Sequence, residues 1–377
     1  MVALVGTYPP IHCGIATFDR DLKTALEEAG LPVRIALIAH PEELDRVRAP
    51  EVRWRIPKTD RPAYRALAEA LSREAETVLL NHEYGLFGGP EGAWVLEFAQ
   101  ALSTPLVTIL HTIFPEPTPD QARILRTLAR LSHRVVTMAE SGRAILTQTY
   151  GIPPDRIAVI PHGIPDLPYP DRAALKRALG LEAGPLLLTF GLIRPEKGLE
   201  TVIQALPRVL ERHPNATYVI AGATHPYQRR AHEEAYRESL AALAERLGVA
   251  HAVRFYDRFL PEEELRQLIG AADLYLLPYP RLGQITSGVL SYGFALGKAI
   301  LATPFLHAKE TLTPERGVLL PPNDPAAWAD AITELLDHPE RIEALSCAAY
   351  AYGRRLTWRT IGQRYRELLA QPMPLSA

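Results

Sequence analysis

Short apolar runs alternate with amphipathic segments along almost the whole chain, in two series. The first series is "VALVG" (2–6), "VRIALIA" (33–39), "TVLLNH" (77–82), "PLVTILH" (105–111), "RVVTMA" (134–139) and "IAVIPHG" (157–163). The second is "PLLLTFG" (185–191), "ATYVIAG" (216–222), "VRFYD" (253–257), "LYLLPY" (274–279), "AILAT" (299–303) and "GVLLP" (317–321). Helical patterns lie between the runs. Residues 15–29 carry an apolar stripe of Phe18, Leu22, Ala25, Leu26 and Ala29, and Gly30 stops that helix. Unbroken apolar strands between helices demand a parallel sheet covered on both faces. Between the series lies "IPHGIPDLPYPD" (160–171), where Pro161, Pro165, Pro168 and Pro170 mark a stiff linker. A chain of 377 residues is comfortable for two such cores. The pattern predicts two doubly wound α/β domains and a helical tail over roughly 325–370. Sheets of this kind bind ligands beyond the carboxyl ends of their strands. Two of them facing each other would place a site in a cleft.

Composition narrows the function. The net charge of −2 offers no field for nucleic acid. No run of about 20 apolar residues is present to span a membrane. The start, "MVALVGTYPP", lacks a basic stretch and a long apolar stretch, so it reads as a first strand and not as a signal peptide. A cytoplasmic protein is expected. Cys13 and Cys347 stand far apart and fit neither a disulfide framework nor a zinc site. Arginine far outnumbers lysine, and Asn, Met and Cys are scarce. That bias is compatible with a hot-living source and equally with a GC-rich genome.

Three loops follow strands and open helices. In "GTYPPIHCGIATF" (6–18) Gly14 begins a helix and allows a ligand to approach its N-terminus, although a single glycine also suits an ordinary loop. In "FGLIRPEKGLETVIQAL" (190–206) Arg194 and Lys197 sit between a strand end and a helix start, which suits a diphosphate. A solvated loop would look the same. In "GQITSGVLSYGFALGKAILATP" (283–304) Thr286, Ser287 and Gly288 form the first turn of a helix. Amides of such a turn, with two hydroxyls, make an anion pocket, and N-capping by a hydroxyl is compatible with that role. His82 and Glu83 in "LNHEYG", His111 in "ILHTIF" and His162 in "IPHGIP" are placed at strand ends, within reach of substrate hydroxyls or as structural imidazoles. No HxH or HExxH occurs, so no metal site is expected. Asp19 and Asp21 in "DRD" lie on a helix, diverge by about 200° and cannot chelate one ion together.

Together these motifs resemble glycosyltransferase family 4, the retaining transferases with the GT-B fold. "YPPIHCGIATF" resembles the family's glycine loop, with Cys13 where a glycine is usual. "VVTMAES" and "IAVIPHGI" are similar to its next motifs, with His162 where asparagine is usual. "FGLIRPEKGLETVIQAL" is similar to its phosphate-binding stretch and carries Lys197 over directly; Leu192 replaces the usual arginine, and Arg194 lies close enough to substitute. "FLHAKETLTPERGVLLPPNDPAAWADAI" and "LTWRTIGQRYRELL" extend the resemblance to the C-terminus. In the family's paired-glutamate donor signature, the two carboxylate positions fall on Gln284 and Tyr292, while the turn at Ser287, Gly288 and Val289 is kept.

The resemblance implies the α/β GT-B architecture of two Rossmann-like domains. Residues 1–165 would form the acceptor-side domain and 166–352 the donor domain, with 353–377 returning as a helix onto the first. It implies a retaining hexosyltransferase that takes a sugar from a nucleotide-diphosphate sugar and needs no metal and no other cofactor. Lys197, Arg194 and His111 would act in catalysis. Gly14, Gln284, Ser287, Gly288, Val289 and Tyr292 would bind donor and phosphate, and His82, Glu83 and His162 would lie on the acceptor side. The acceptor would be a carbohydrate or small molecule, and peripheral membrane contact stays open. A phosphorylase, a sugar-nucleotide epimerase and an inactive sugar-binding protein are the alternatives.

Overall fold

The computed structural model describes residues 1–181, 184–224 and 232–371. The end of the returning segment, 372–377, lies outside the described residues. The chain divides into two units: residues 1–163 with 356–377, and residues 164–355.

The first unit holds a parallel sheet of β1 (Val2–Gly6), β2 (Val33–Ala39), β3 (Val52–Pro57), β4 (Thr77–His82), β5 (Leu106–Leu110), β6 (Arg134–Thr137) and β7 (Ile157–Val159). Their order in the sheet is β3-β2-β1-β4-β5-β6-β7. β1, β4 and β5 are almost wholly buried, as their unbroken apolar sequences demand. β3 is the strand that the apolar runs miss. Its sequence, VRWRIP, alternates buried and exposed positions because it lies at the sheet edge, where Arg53 and Arg55 reach solvent. Apolar side chains pack on both faces of the sheet.

The helix Gly14–Glu28 follows β1 and lays Phe18, Leu22, Ala25 and Leu26 against the core. The last helix, Trp358–Ala370, packs directly on it. The contact is backbone to backbone: a Cβ on Gly362 would stand 2.3 Å from the Ala25 carbonyl oxygen. Only glycine fits there. The chain thus leaves the first unit at Gly163 and re-enters it at Leu356.

The second unit repeats the winding. It holds β8 (Leu186–Phe190), β9 (Thr217–Ala221), β10 (Val253–Tyr256), β11 (Leu274–Leu277), β12 (Ala299–Ala302) and β13 (Gly317–Leu319), in the order β10-β9-β8-β11-β12-β13. Among the described residues every strand pairing in both sheets is parallel. Trp328 is fully buried in this core, with its indole N–H donated to the Pro321 carbonyl at 3.0 Å. In each sheet the strand order reverses once, between β1 and β4 and between β8 and β11. Such a reversal parts the loops at the carboxyl edge and opens a crevice for ligand. Among the described residues no helix is long and apolar enough to cross a membrane.

Candidate active site

In the second unit the chain leaves β8 through Gly191 and a short 3₁₀ turn, Pro195–Lys197. Gly198 then adopts a left-handed conformation, φ 61°, and starts the helix Leu199–Arg212. A Cβ on Gly198 would lie 2.2 Å from the Pro278 carbonyl oxygen, so glycine is required twice over. This approach sets the loop after β8 against the loop after β11. Lys197 Nζ donates to the Tyr279 hydroxyl at 2.9 Å and lies 4.2 Å from the centre of its ring. Tyr279 is fully buried, stacks on Phe305 with ring centres 5.1 Å apart, and also hydrogen-bonds Ser287. Although Lys197 keeps some exposure as a residue, its ammonium is packed deep. Burial, with the neighbouring Arg194 charge, pushes its pKa down from 10.5 to about 7, against the pull of Glu196. Arg194 is half-buried, its Nε 3.8 Å from Glu196.

Ser287 caps the helix Gly288–Ala295, its hydroxyl accepting from the Leu290 amide at 3.1 Å. The Ser287 amide is not available to an anion, because it donates to the buried His307 Nδ1 at 2.9 Å. The next amides, of Gly288 and Val289, begin the helix and have no intrahelical acceptor. They lie near Lys197: a Cβ on Gly191 would be 3.4 Å from both Lys197 Nζ and Val289 Cγ2. Leu290, Ser291, Gly293, Phe294 and Ala295 face the core. Gly288, Val289 and Tyr292 share the opposite, half-buried side. Tyr292 meets Phe190 edge to face, with centroids 5.7 Å apart. Gln284 Nε2 donates to the Thr286 carbonyl at 2.7 Å, so its Oε1 is left as an acceptor.

In the first unit the candidate residues gather at the carboxyl ends of β4 and β5, beside the sheet's reversal. His111 and Thr112 follow β5, while His82 ends β4 and Glu83 follows it. The Thr112 hydroxyl donates to Glu83 Oε2 at 2.5 Å, and the Tyr84 amide donates to Glu83 Oε1 at 3.1 Å. His111 Nε2 pairs with Asn81 Oδ1 at 2.7 Å. His162 Nδ1 donates to the Gly163 carbonyl at 2.7 Å. The Phe18 ring stands edge-on to His111, His162 and Trp358, with centroids 4.7, 5.2 and 5.3 Å away. Burial pushes the His111 pKa from 6.5 to about 3, helped by His162 and His82, and the His162 pKa to about 4. Both rings are neutral at pH 7.

His82 differs from its expected placement. It is 0% exposed, lies beside Tyr84 and Phe87, and neither ring nitrogen has a hydrogen-bond partner. Burial pushes its pKa to about 4. Its side chain points the other way from that of Asn81, because neighbours on a strand alternate faces. His82 is therefore a core residue, out of an acceptor's reach. Gly14 starts its helix as expected, but a Cβ there would meet nothing within 4 Å. Its φ is not positive either. Neither packing nor backbone geometry requires glycine at this position.

The sequence patterns passed over Tyr279, His307, Thr112, Asn81 and Asp19. Tyr279 stood in view at the end of "LYLLPY" but read as strand. Asp19 was weighed as half of an ion site, whereas it points inward, fully buried. The other three carry no spacing signal and are found only through their contacts.

Comparison with known proteins identifies the family and the fold. The family model described as "Glycosyltransferase Family 4" matches residues 13–166, and "Glycosyl transferases group 1" matches residues 171–352. The D-inositol 3-phosphate glycosyltransferase of Segniliparus rotundus is 29% identical over 78% of this chain and 66% of its own length. That of Thermobispora bispora is 29% identical over 94% of this chain and 83% of its own. Among solved structures, Anabaena HepE in complex with UDP and glucose superposes with a TM-score of 0.81 at 18% identity, covering 98% of this chain and 99% of that one. Sucrose-phosphate synthase from Thermosynechococcus elongatus gives 0.79 at 20% identity, with the same coverage. At those identities the structures speak for the fold, which is GT-B. With a family model on each of its two units, the chain belongs to glycosyltransferase family 4 and is a sugar-transferring enzyme.

Proposed function

We propose that the chain transfers a sugar from a nucleoside-diphosphate sugar to the hydroxyl of a carbohydrate or small-molecule acceptor, with retention at the anomeric carbon and without a divalent metal. One observation carries this reading. Lys197 Nζ, held by Tyr279, lies within the same few ångströms of Gly191 as Val289, at the start of a helix with unpaired amides. A cation and two amide dipoles converging at a strand end suit a diphosphate. They oppose the charge that grows on the leaving group as the glycosidic bond breaks, which is where fixed donors lower a barrier most. Arg194 adds a second cation. These groups supply the charge that a metal ion supplies elsewhere. A lysine with a pKa of about 7 gains its full charge when the diphosphate arrives.

In this reading the leaving phosphate takes the acceptor's proton on the face where the acceptor attacks, so no side-chain nucleophile is needed. His111 stands beside the sugar. Gln284 Oε1 meets the donor sugar and Tyr292 the ribose, where relatives of this family use carboxylates. Gly14 lets the ligand come close to the first helix. Glu83, held by Thr112 and the Tyr84 amide, and His162 serve the acceptor. The UDP and glucose bound to HepE support a uridine nucleotide as the first donor to try, and the relatives' names support a polyol phosphate as the first acceptor. We place the reaction in the cytoplasm.

A thermal-shift panel of UDP-, GDP- and ADP-sugars tests the donor. The correct one at 100 times its Kd raises stability by about 2.7 kcal/mol. The product's anomeric configuration, read by NMR, tests retention. Turnover in EDTA tests metal independence; abolition by EDTA with rescue by Mg²⁺ or Mn²⁺ overturns that element. A panel in which no nucleotide sugar stabilises the protein overturns the donor assignment.

A further inference from the structure

Asp19 and Asn81 are both 0% exposed, and the reading above uses neither. A carboxylate at that depth is costly unless its oxygens are paired. Both are paired, and the pairing has a direction. The Thr7 backbone N–H, which can only donate, reaches Asp19 Oδ2 at 2.9 Å. Asn81 Nδ2 donates to Asp19 Oδ1 at 2.5 Å. Burial pushes the Asp19 pKa well up, against the pull of the Thr7 hydrogen bond; two donors on two oxygens match its ionised, acceptor-only form. An Asn81 amide that turns its NH₂ toward Asp19 must turn its oxygen the other way, and that oxygen meets His111 Nε2 at 2.7 Å. With Asp19 ionised, Nε2 carries the proton, and Nδ1 keeps its lone pair.

We propose that Asp19 and Asn81 form a positioning relay that sets the tautomer of His111, presenting Nδ1 as a hydrogen-bond acceptor. The relay joins the helix after β1 to the ends of β4 and β5, the three elements that meet at the reversal of the first sheet. Phe18, one residue before Asp19, packs edge-on against the same imidazole at 4.7 Å. One helix thus fixes both the ring's plane and, through Asn81, its proton. The consequence for the reaction rests on His111 standing beside the sugar: an Nδ1 acceptor takes a hydrogen bond from a sugar hydroxyl, whereas an N–H there would have to donate.

The relay can be inverted without changing its shape. In Asp19→Asn the Thr7 N–H takes the new amide's oxygen, so its NH₂ faces Asn81. Asn81 must then turn its oxygen to residue 19 and its NH₂ to His111. His111 Nε2 becomes the acceptor, and the proton moves to Nδ1. The experiment uses the full chain with ¹⁵N-labelled histidine and two-bond ¹H–¹⁵N correlation spectra, with His111 assigned by its absence in His111→Gln. The wild type is expected to show the Nε2–H form and Asp19→Asn the Nδ1–H form. Transfer kcat/KM in Asp19→Asn is expected to fall about tenfold, the worth of one misdirected hydrogen bond. A wild-type His111 protonated on Nδ1 overturns the relay, and that result does not depend on any variant folding. A folded Asp19→Asn with an unchanged tautomer overturns it too. A switched tautomer with unchanged kcat/KM supports the relay and overturns the placement of His111 beside the sugar.

Discussion

The two units share a winding and a point of strand reversal, yet they arm it with opposite chemistry. At the reversal of the first sheet stand neutral imidazoles and carboxylates: His111, His162, Glu83 and, behind them, Asp19. At the reversal of the second stand Lys197, Arg194 and unpaired amides. In the first unit one run of buried polar groups satisfies itself, the chain from Thr7 through Asp19 and Asn81 to His111. In the second, donors are left over: the Gly288 and Val289 amides have no intrahelical acceptor, and among the described residues the Lys197 ammonium donates to the Tyr279 phenol, with the Glu196 charge nearby. Topology supplies the position in both units. Side chains decide whether that position recognises hydroxyls or an anion.

The largest expected effect tests this contrast directly. Lys197→Ala should lower kcat about 10²–10³-fold, the typical loss of one donor to transition-state charge, and leave the circular dichroism spectrum and melting temperature nearly unchanged. A larger loss in His111→Ala than in Lys197→Ala would place the electrostatic work in the first unit and break the comparison. Tyr292→Glu comes next. Tyr292 is half-buried on the open side of its helix, so the substitution should cost little stability. It should tighten the nucleotide about tenfold, since a carboxylate accepts hydroxyl donors more strongly than a phenol does. Calorimetry measures the affinity; a steep fall in melting temperature with unchanged affinity would show that the ring belongs to the core.

Gly14→Ala should leave stability unchanged or raise it by roughly 0.5–1 kcal/mol, because the helix no longer carries glycine's chain entropy. Its donor or acceptor KM should rise several-fold if a ligand lies against the helix start. Unchanged kinetics would mean that nothing approaches there.

The smallest effect is a difference in pH response. In the first unit, burial holds the pKa values of His82, His111 and His162 below the usual 6.5, at about 4, 3 and 4. The unfolded chain then binds protons that these folded imidazoles refuse, so the three of them cost this unit stability as pH falls from 6.5 toward 4, while Asp19, whose pKa burial raises, works the other way. In the second unit, burial holds Lys197 and the fully buried Lys298 at about 7, against 10.5. By the same sign rule this unit gains stability as pH rises from 7 toward 10.5. Hydrogen exchange of peptides from each unit, corrected for intrinsic rates, should show the two windows. Parallel responses in both units would remove the electrostatic distinction.

The buried strands, the linker and the loops after β1, β8 and β11 were all legible in the residues. β3 was not, because an edge strand shows solvent one face and reads as alternating Val52, Arg53, Trp54 and Arg55. His82 and Asn81 invert what spacing suggests. Both end the same strand, yet the pleat sends the histidine into the core with Tyr84 and Phe87 and sends the asparagine to His111. Asp19 sits in the most charged-looking stretch of its helix and is the residue there that solvent never reaches.

The sequence by itself determined the two sheets, their helices and the place of the proposed anion site, because those rest on local signals: apolar run length, a capping serine, glycine and charge at a helix start. Only the tertiary structure decided which amides lack an intrahelical partner, which side chain meets the His111 ring and how far a lysine is stripped of water. Those properties come from neighbours far apart in the chain, Lys197 with Tyr279, Ser287 with His307, and Asp19 with Asn81. No short-range pattern encodes such pairs, since a hydrogen bond depends on the meeting of two atoms in space and not on the spacing of either along its own segment.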